Sequence, residues 1–307
     1  MSPGDPPTKD PGHLDDLVTE GRPSPPKDYE SLSTAELVEL MNREDAAIPA
    51  AVGAIARELA DFVDAVVTKL RGGGRLIYVG AGSSGALAAV DADECESTFS
   101  TPPGQVVALV AGAGFGTGPE RDGAEDDACA GSDAIRSIEV SARDAVIGIS
   151  ASGRTPYVIG ALETAAAAAA LTACVVSVPN SELARICEHE LAVVVGPEFV
   201  AGSTRLKAGT AQKLILNTIS TLSMIRLGKT YGDLMVDVAA TNEKLRARAR
   251  RAVQLATGAS DHEVDGALAA AHGSAKVAIV SLFAGIDADS ARERLERAAG
   301  NVREALP

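Results

Sequence analysis

The run Leu76-Ile77-Tyr78-Val79-Gly80-Ala81-Gly82-Ser83-Ser84-Gly85 decides the fold of this chain. Four residues suited to a buried strand give way to three glycines and two serines, so a strand is predicted to end in a tight turn there. The same grammar returns at Val106 to Val110, Ala145 to Ile149, Cys174 to Val178 and Leu191 to Val195, with segments of helical length between the runs. Alternation of this kind predicts an α/β fold: a doubly wound, mostly parallel five-stranded sheet with helices on both faces. Ligand sites in such sheets lie beyond the carboxyl ends of the strands, where the glycine-serine turns fall.

Upstream, Ser33-Thr34-Ala35-Glu36 has the form of a capping box that opens a helix. Pro49 is placed to open a second, whose apolar positions Val52, Ile55, Leu59, Phe62, Val66 and Leu70 recur every three or four residues up to Gly72. Residues 1–30, rich in Pro, Gly and charge, read as a mobile arm. Downstream, Pro156 opens a helix that the alanine run 165–170 continues, and a long helix is expected from Lys207 to Leu227. Another begins near Thr241. Three short amphipathic patterns after Gly258 predict a small C-terminal helical bundle. The organisation expected is therefore an arm (1–30), a main domain (31–257) and a bundle (258–307).

Composition narrows the partners. With 28 basic and 42 acidic residues the net charge is −14, which argues against a nucleic-acid or anionic-membrane surface. Any phosphate must be held by local groups. The four cysteines show neither metal-site nor disulfide-framework spacing, and the four histidines form no metal cluster. No secretory leader or membrane-spanning stretch is legible, so a cytoplasmic protein is expected, with no metal and no cofactor.

Two loops carry the chemistry. Gly80 to Gly85 and Ser150-Ala151-Ser152-Gly153-Arg154-Thr155 each stand between a strand and a helix, where backbone amides and hydroxyls converge on an anion at a positive helix end. Either loop alone is as readily plain turn chemistry. The first also has the Gly-x-Gly-x-x-Gly spacing of a dinucleotide site, but the second strand ends Val110-Ala111-Gly112 without the carboxylate a ribose requires. Glu94 falls in the acidic cluster 91–96 of a helix, which by itself reads as a solvated face, and Glu125 by itself reads more readily as a first-turn acid complementing a helix dipole than as a site residue. Arg205 and Lys207 form a basic pair beside a glycine-serine turn, open to either surface solvation or an anionic substrate.

Longer runs carry a family resemblance. The two loops resemble the sugar isomerase (SIS) domain family of phosphosugar binders. Asp93-Glu94-Cys95, Gly123-Ala124-Glu125-Asp126, residues 151–160, Gly202-Ser203-Thr204-Arg205-Leu206-Lys207 and Ala240-Thr241-Asn242-Glu243-Lys244-Leu245 resemble the N-acetylmuramic acid 6-phosphate etherases. The likeness implies a lyase that splits the D-lactyl ether of a phosphorylated amino sugar, acting as a homodimer. It implies that Ser84, Ser150, Ser152 and Thr155 hold the phosphate, that Ser83 and Gly153 shape the loops, and that Glu94 and Glu125 are the catalytic pair. The same domain family also contains non-catalytic phosphosugar sensors and aldose-ketose isomerases. One departure stands out: Ala86 follows Gly85 where the etherases usually have Arg.

Overall fold

The computed structural model describes residues 20–22, 28–113, 123–238 and 242–307. Helix α1 (Thr34–Asp45) opens on the expected capping box: the Ser33 hydroxyl accepts the Glu36 N–H while the Glu36 carboxylate accepts the Ser33 N–H. The predicted single helix from Pro49 is two, α2 (Ile48–Gly53) and α3 (Ala56–Arg71), because the chain leaves helical geometry at Ile55, just after Gly53. Helix α3 buries Leu59, Phe62, Val63, Val66, Val67 and Leu70 on one face.

The sheet then forms from β1 (Leu76–Gly80), β2 (Val106–Val110), β3 (Ala145–Ile149), β4 (Leu171–Val176) and β5 (His189–Ala192), in the order β2-β1-β3-β4-β5. Every pairing is parallel. Strand β4 begins three residues before the expected Cys174, since the helix of the alanine run stops at Ala167 and Ala169 turns with φ +57°. Leu171 is then free to pair beside Ala145. Strand β5 likewise starts earlier than Leu191, at His189.

Alternation along each strand divides the apolar residues between two layers. Leu76, Tyr78, Ala145, Ile147, Ala173 and Val175 face a core shared with α3, α4 (Gly82–Phe99) and α7 (Lys207–Arg226). Ile77, Val79, Val146, Cys174 and Val176 face the other core, against α5 (Ala128–Ser137) and α6 (Pro156–Ala167). Arg75 and Asp144, which stand just before β1 and β3, fasten the amino ends of these neighbours. The Asp144 carboxylate accepts the Arg75 backbone N–H and Nε at 3.0 Å and its NH2 nitrogen at 2.9 Å.

A third core joins the hairpin β6 (Thr230–Tyr231) and β7 (Leu234–Met235) to α8 (Glu243–Thr257), α9 (Asp261–Ala270), α10 (Ala275–Ala284), α11 (Ala288–Arg297) and α12 (Val302–Ala305). Val236, Ala249, Ala252 and Val253 pack in the same cluster as Val264, Ile279 and Val302, so the expected boundary at 257/258 falls inside one packed unit. Lys276 and Lys229 both pair with Asp237, at 2.7 and 3.0 Å, and the Ser100 hydroxyl donates to the Asp237 carbonyl, which ties this unit to the end of α4. Most of the expected arm lies outside the described residues. Within them, the Tyr29 ring stacks on Phe199 and its hydroxyl donates to the Phe199 carbonyl at 2.7 Å, so this end of it is fastened. Among the described residues no single helix is long and apolar enough to cross a membrane.

Candidate active site

The strand order reverses direction between β1 and β3, and both glycine-serine loops leave the sheet at that switch point. Gly80 pairs beside Ile149, so the loops start as neighbours. The first turns directly into α4, and Gly85 lets that helix sit close on the strands. A Cβ there would lie 2.6 Å from Val110 Cγ1 and 2.8 Å from the Gly80 carbonyl. The second loop has Gly153 at φ +68°, where a Cβ would also lie 2.3 Å from the Ser181 side chain.

The two loops present donors differently. Ser150 Oγ lies 2.8 Å from Thr155 Oγ1 and 3.3 Å from Ser152 Oγ, and it accepts the Gly153 N–H at 3.1 Å. In the first loop the Ser84 hydroxyl donates to Gln212 Oε1 at 2.9 Å. Among the described residues the amide nitrogen of that buried Gln212 has no hydrogen-bond partner. Among them, too, neither α4 nor α6 has a side-chain cap on its first turn, which leaves first-turn backbone amides for another acceptor. Helix α7 is the contrast: buried Glu198 accepts the Lys207 and Ala208 N–H groups at 2.8 and 3.0 Å.

A cleft of about 220 Å³ results, lined by Ser83, Ser84, Ser150, Ser152, Thr155, Thr204, Glu20 and Glu125. Among the described residues no basic side chain lines it. Its hydroxyls and the helix amino ends are the described groups suited to receive an anion here. Glu125 stands in a 3-10 turn (Gly123–Asp126) ahead of α5. Asp127 caps that helix by accepting the Ala130 N–H at 2.9 Å, so the capping role open to Glu125 in the sequence is filled by its neighbour. Glu20 and Thr204 were not legible as site residues, because each belongs to a segment whose position is set only by tertiary packing.

Glu94 lies ten residues beyond Ser84 on α4, about 15 Å along the axis. Its carboxylate lines a second cleft of about 340 Å³ with Asp91, Cys95, Thr98, Asn217 and Ser220. The structure therefore does not bring the two glutamates into one cleft. A groove between α4 and α7 is lined by Ser83, Ala86, Leu87, Val90, Arg205, Gly209, Thr210 and Lys213; it shares Ser83 with the serine cleft, and its Lys213 contacts Glu94. Arg205 and Ala86 line the same groove. Lys207 does not reach any of these surfaces; it is buried, with Nζ 3.9 Å from Glu44.

The acidic cluster is only partly a solvated face. Asp93 and Glu96 are exposed, but Asp91 is buried and accepts the Tyr78 hydroxyl at 2.9 Å. Burial, reinforced by the Asp91 charge, pushes the Cys95 thiol up to about 12, so it is not a thiolate nucleophile at neutral pH.

Comparison with known proteins agrees with this architecture. Residues 58–166 match the family model described as the glucokinase regulatory protein N-terminal SIS domain. The N-acetylmuramic acid 6-phosphate etherase of Rubrobacter xylanophilus is 54% identical over 95% of this chain and 97% of its own length. That of Streptomyces avermitilis is 50% identical over 95% and 94%. A solved phosphoheptose isomerase from Neisseria gonorrhoeae aligns at 17% identity and a TM-score of 0.48, covering 62% of this chain and 98% of its own. Near-full-length identity at this level makes the chain a member of the N-acetylmuramic acid 6-phosphate etherase family.

Proposed function

We propose that the protein cleaves the D-lactyl ether of N-acetylmuramic acid 6-phosphate, giving N-acetylglucosamine 6-phosphate and D-lactate. The observation that carries the reading is the convergence of both serine loops and Glu125 on one cleft. Ser84, Ser150, Ser152 and Thr155 donate to the phosphate, while Ser83 and Gly153 give the loops their shape. The ring-opened sugar presents an aldehyde, and its carbonyl makes the neighbouring C2–H acidic. Glu125 takes that proton, the C3–O bond breaks, and Glu94 protonates the departing lactyl oxygen. Water then adds at C3 of the unsaturated aldehyde and a proton returns to C2, which restores the sugar and both carboxyl groups. The proton transfers that accompany C3–O cleavage and water addition, at C2 and at the oxygen on C3, are ones that two carboxylates in different surroundings can carry.

The substrate bridges the two clefts in this reading. Phosphate sits at the amino end of α4, and the reacting carbons extend along the groove toward Glu94. Arg205, exposed and without an ion-pair partner among the described residues, takes the lactyl carboxylate, the role left open by Ala86. We further propose a cytoplasmic homodimer. Exposed Val90 on α4 and Leu222 and Ile225 on α7 supply apolar surface for the contact.

Incubating the purified protein with N-acetylmuramic acid 6-phosphate and assaying free D-lactate tests the activity. Stoichiometric lactate with N-acetylglucosamine 6-phosphate is expected. Binding without lactate release identifies a sensor instead, and hexose phosphate interconversion with the C3 substituent retained identifies an isomerase. Sedimentation of a fully active monomer would contradict the dimer.

A further inference from the structure

Lys213 on α7 stands between two carboxylates of α4. Its Nζ lies 3.2 Å from Glu94 Oε2 and 3.4 Å from Asp91 Oδ1. Asp91 is the fixed end of this chain of contacts. It is buried, the Tyr78 hydroxyl donates to its Oδ2 at 2.9 Å, and the Ser220 hydroxyl lies 3.4 Å from its Oδ1. Tyr78 belongs to the central strand β1 and is fully enclosed, so it has no freedom to follow a moving partner. A buried carboxylate needs such partners, and withdrawing one is costly.

The other end is loose. The Glu94 side chain is 62% exposed, and among the described residues its carboxylate has Lys213 as its ion-pair partner. An isolated surface pair contributes little, since ordering two long side chains offsets the attraction. Here the lysine is already held by Asp91, so only Glu94 remains to be ordered. Lys213 also lines the groove that begins at Ser83, on the same side as the substrate path. Neutralising Asp91 alone would not require the ammonium to reach outward, closer to Glu94 than to Asp91.

We propose that Lys213 is a positioning residue: anchored by the buried Tyr78–Asp91 pair, it holds the Glu94 carboxyl group in place for proton transfer to the leaving lactyl oxygen. The inference rests on the reading of Glu94 as the general acid. Alignment of a general acid contributes to turnover more than to ground-state binding.

The test is a double-mutant cycle of Lys213→Met and Glu94→Gln, read by lactate release and by exchange of the C2 proton in deuterated water. Lys213→Met is expected to lower kcat about ten- to a hundredfold while KM changes less than about threefold, with Lys213→Arg recovering part of the loss. Its C2 exchange should follow that of Glu94→Gln, and in the double variant it should add nothing to the Glu94→Gln defect. Should Lys213→Met fail to fold because Asp91 has lost its ammonium, Lys213→Met with Asp91→Asn removes both charges and carries the same cycle. A multiplicative loss in the double variant, or a rise in KM at unchanged kcat, overturns the proposal and leaves Glu94 untouched. Near-normal lactate release by Glu94→Gln alone overturns the reading of Glu94, and the proposal with it.

Discussion

The serine cleft and the Glu94 cluster are built on one helix, α4, by opposite means. The hydroxyl side of the cleft is local: Ser150, Ser152, Gly153 and Thr155 satisfy one another across two to five residues of sequence. The cluster is charged and assembled from a distance, with Tyr78 on β1, Asp91 and Glu94 on α4 and Lys213 on α7. In the proposed reading the phosphate is received by dipoles, whereas the Glu94 carboxylate is aimed by a cation. That division would leave phosphate to backbone and hydroxyl donors in an acidic protein.

The largest expected effect comes from emptying the hydroxyl side of that comparison. N-acetylmuramic acid without phosphate should react more than about a thousandfold less efficiently in kcat/KM, since several charge-assisted hydrogen bonds of roughly 1.5–3 kcal/mol each are lost together. Equal reaction of both sugars would remove the phosphate role from the loops. Next comes the clamp that sets the two strands side by side. Asp144→Ala should destabilise the fold by about 3 kcal/mol, measured by denaturant unfolding, because it leaves the part-buried Arg75 guanidinium unmatched.

The same pair gives a pH dependence. Burial on its own would raise the Asp144 carboxyl, but the Arg75 guanidinium and the Ser141 and Arg75 N–H groups outweigh it and hold the group below its ordinary 3.8. A depressed carboxyl contributes stability above 3.8 and loses it as pH falls through the folded value. The acid limb of unfolding below about pH 4 should therefore be shallower in Asp144→Asn than in the parent.

Smaller effects separate the two loops. Ser152→Ala should raise KM about tenfold, the worth of one hydrogen bond to a charged acceptor, with kcat little changed. Gln212→Met removes only the group that holds Ser84, so a rise of a few-fold is expected. A larger effect at Gln212 than at Ser152 would reverse the ranking and place the orphaned Gln212 amide itself on the substrate.

What the sequence disclosed follows the same line between local and distant. The strands, their parallel order and both serine loops are legible because a buried strand followed by a glycine turn is written in consecutive residues. Arg205 is legible as a basic residue beside a turn, although nothing in the chain said that it would line the same groove as Ala86. Lys213 was not, since a lysine within an amphipathic helix reads as a solvated position until α4 is packed against α7. Glu20 was hidden by a Pro- and Gly-rich surrounding that carries no periodicity, yet it lines the same cleft as Glu125. The break at Ile55 and the early start of β4 are boundary shifts, set by pairing and packing over and above propensity.

The proposed division of labour between Glu125 in the serine cleft and Glu94 in the charged cluster is tested most directly by hydrogen exchange. Glu94→Gln and Glu125→Gln are each incubated with N-acetylmuramic acid 6-phosphate in deuterated water, following C2 deuteration by NMR and lactate by enzymatic assay, with folding checked by circular dichroism. Glu94→Gln should incorporate deuterium at C2 while lactate release falls about a hundred- to ten-thousandfold, and Glu125→Gln should lose both. Near-normal lactate release by both folded variants would contradict the account.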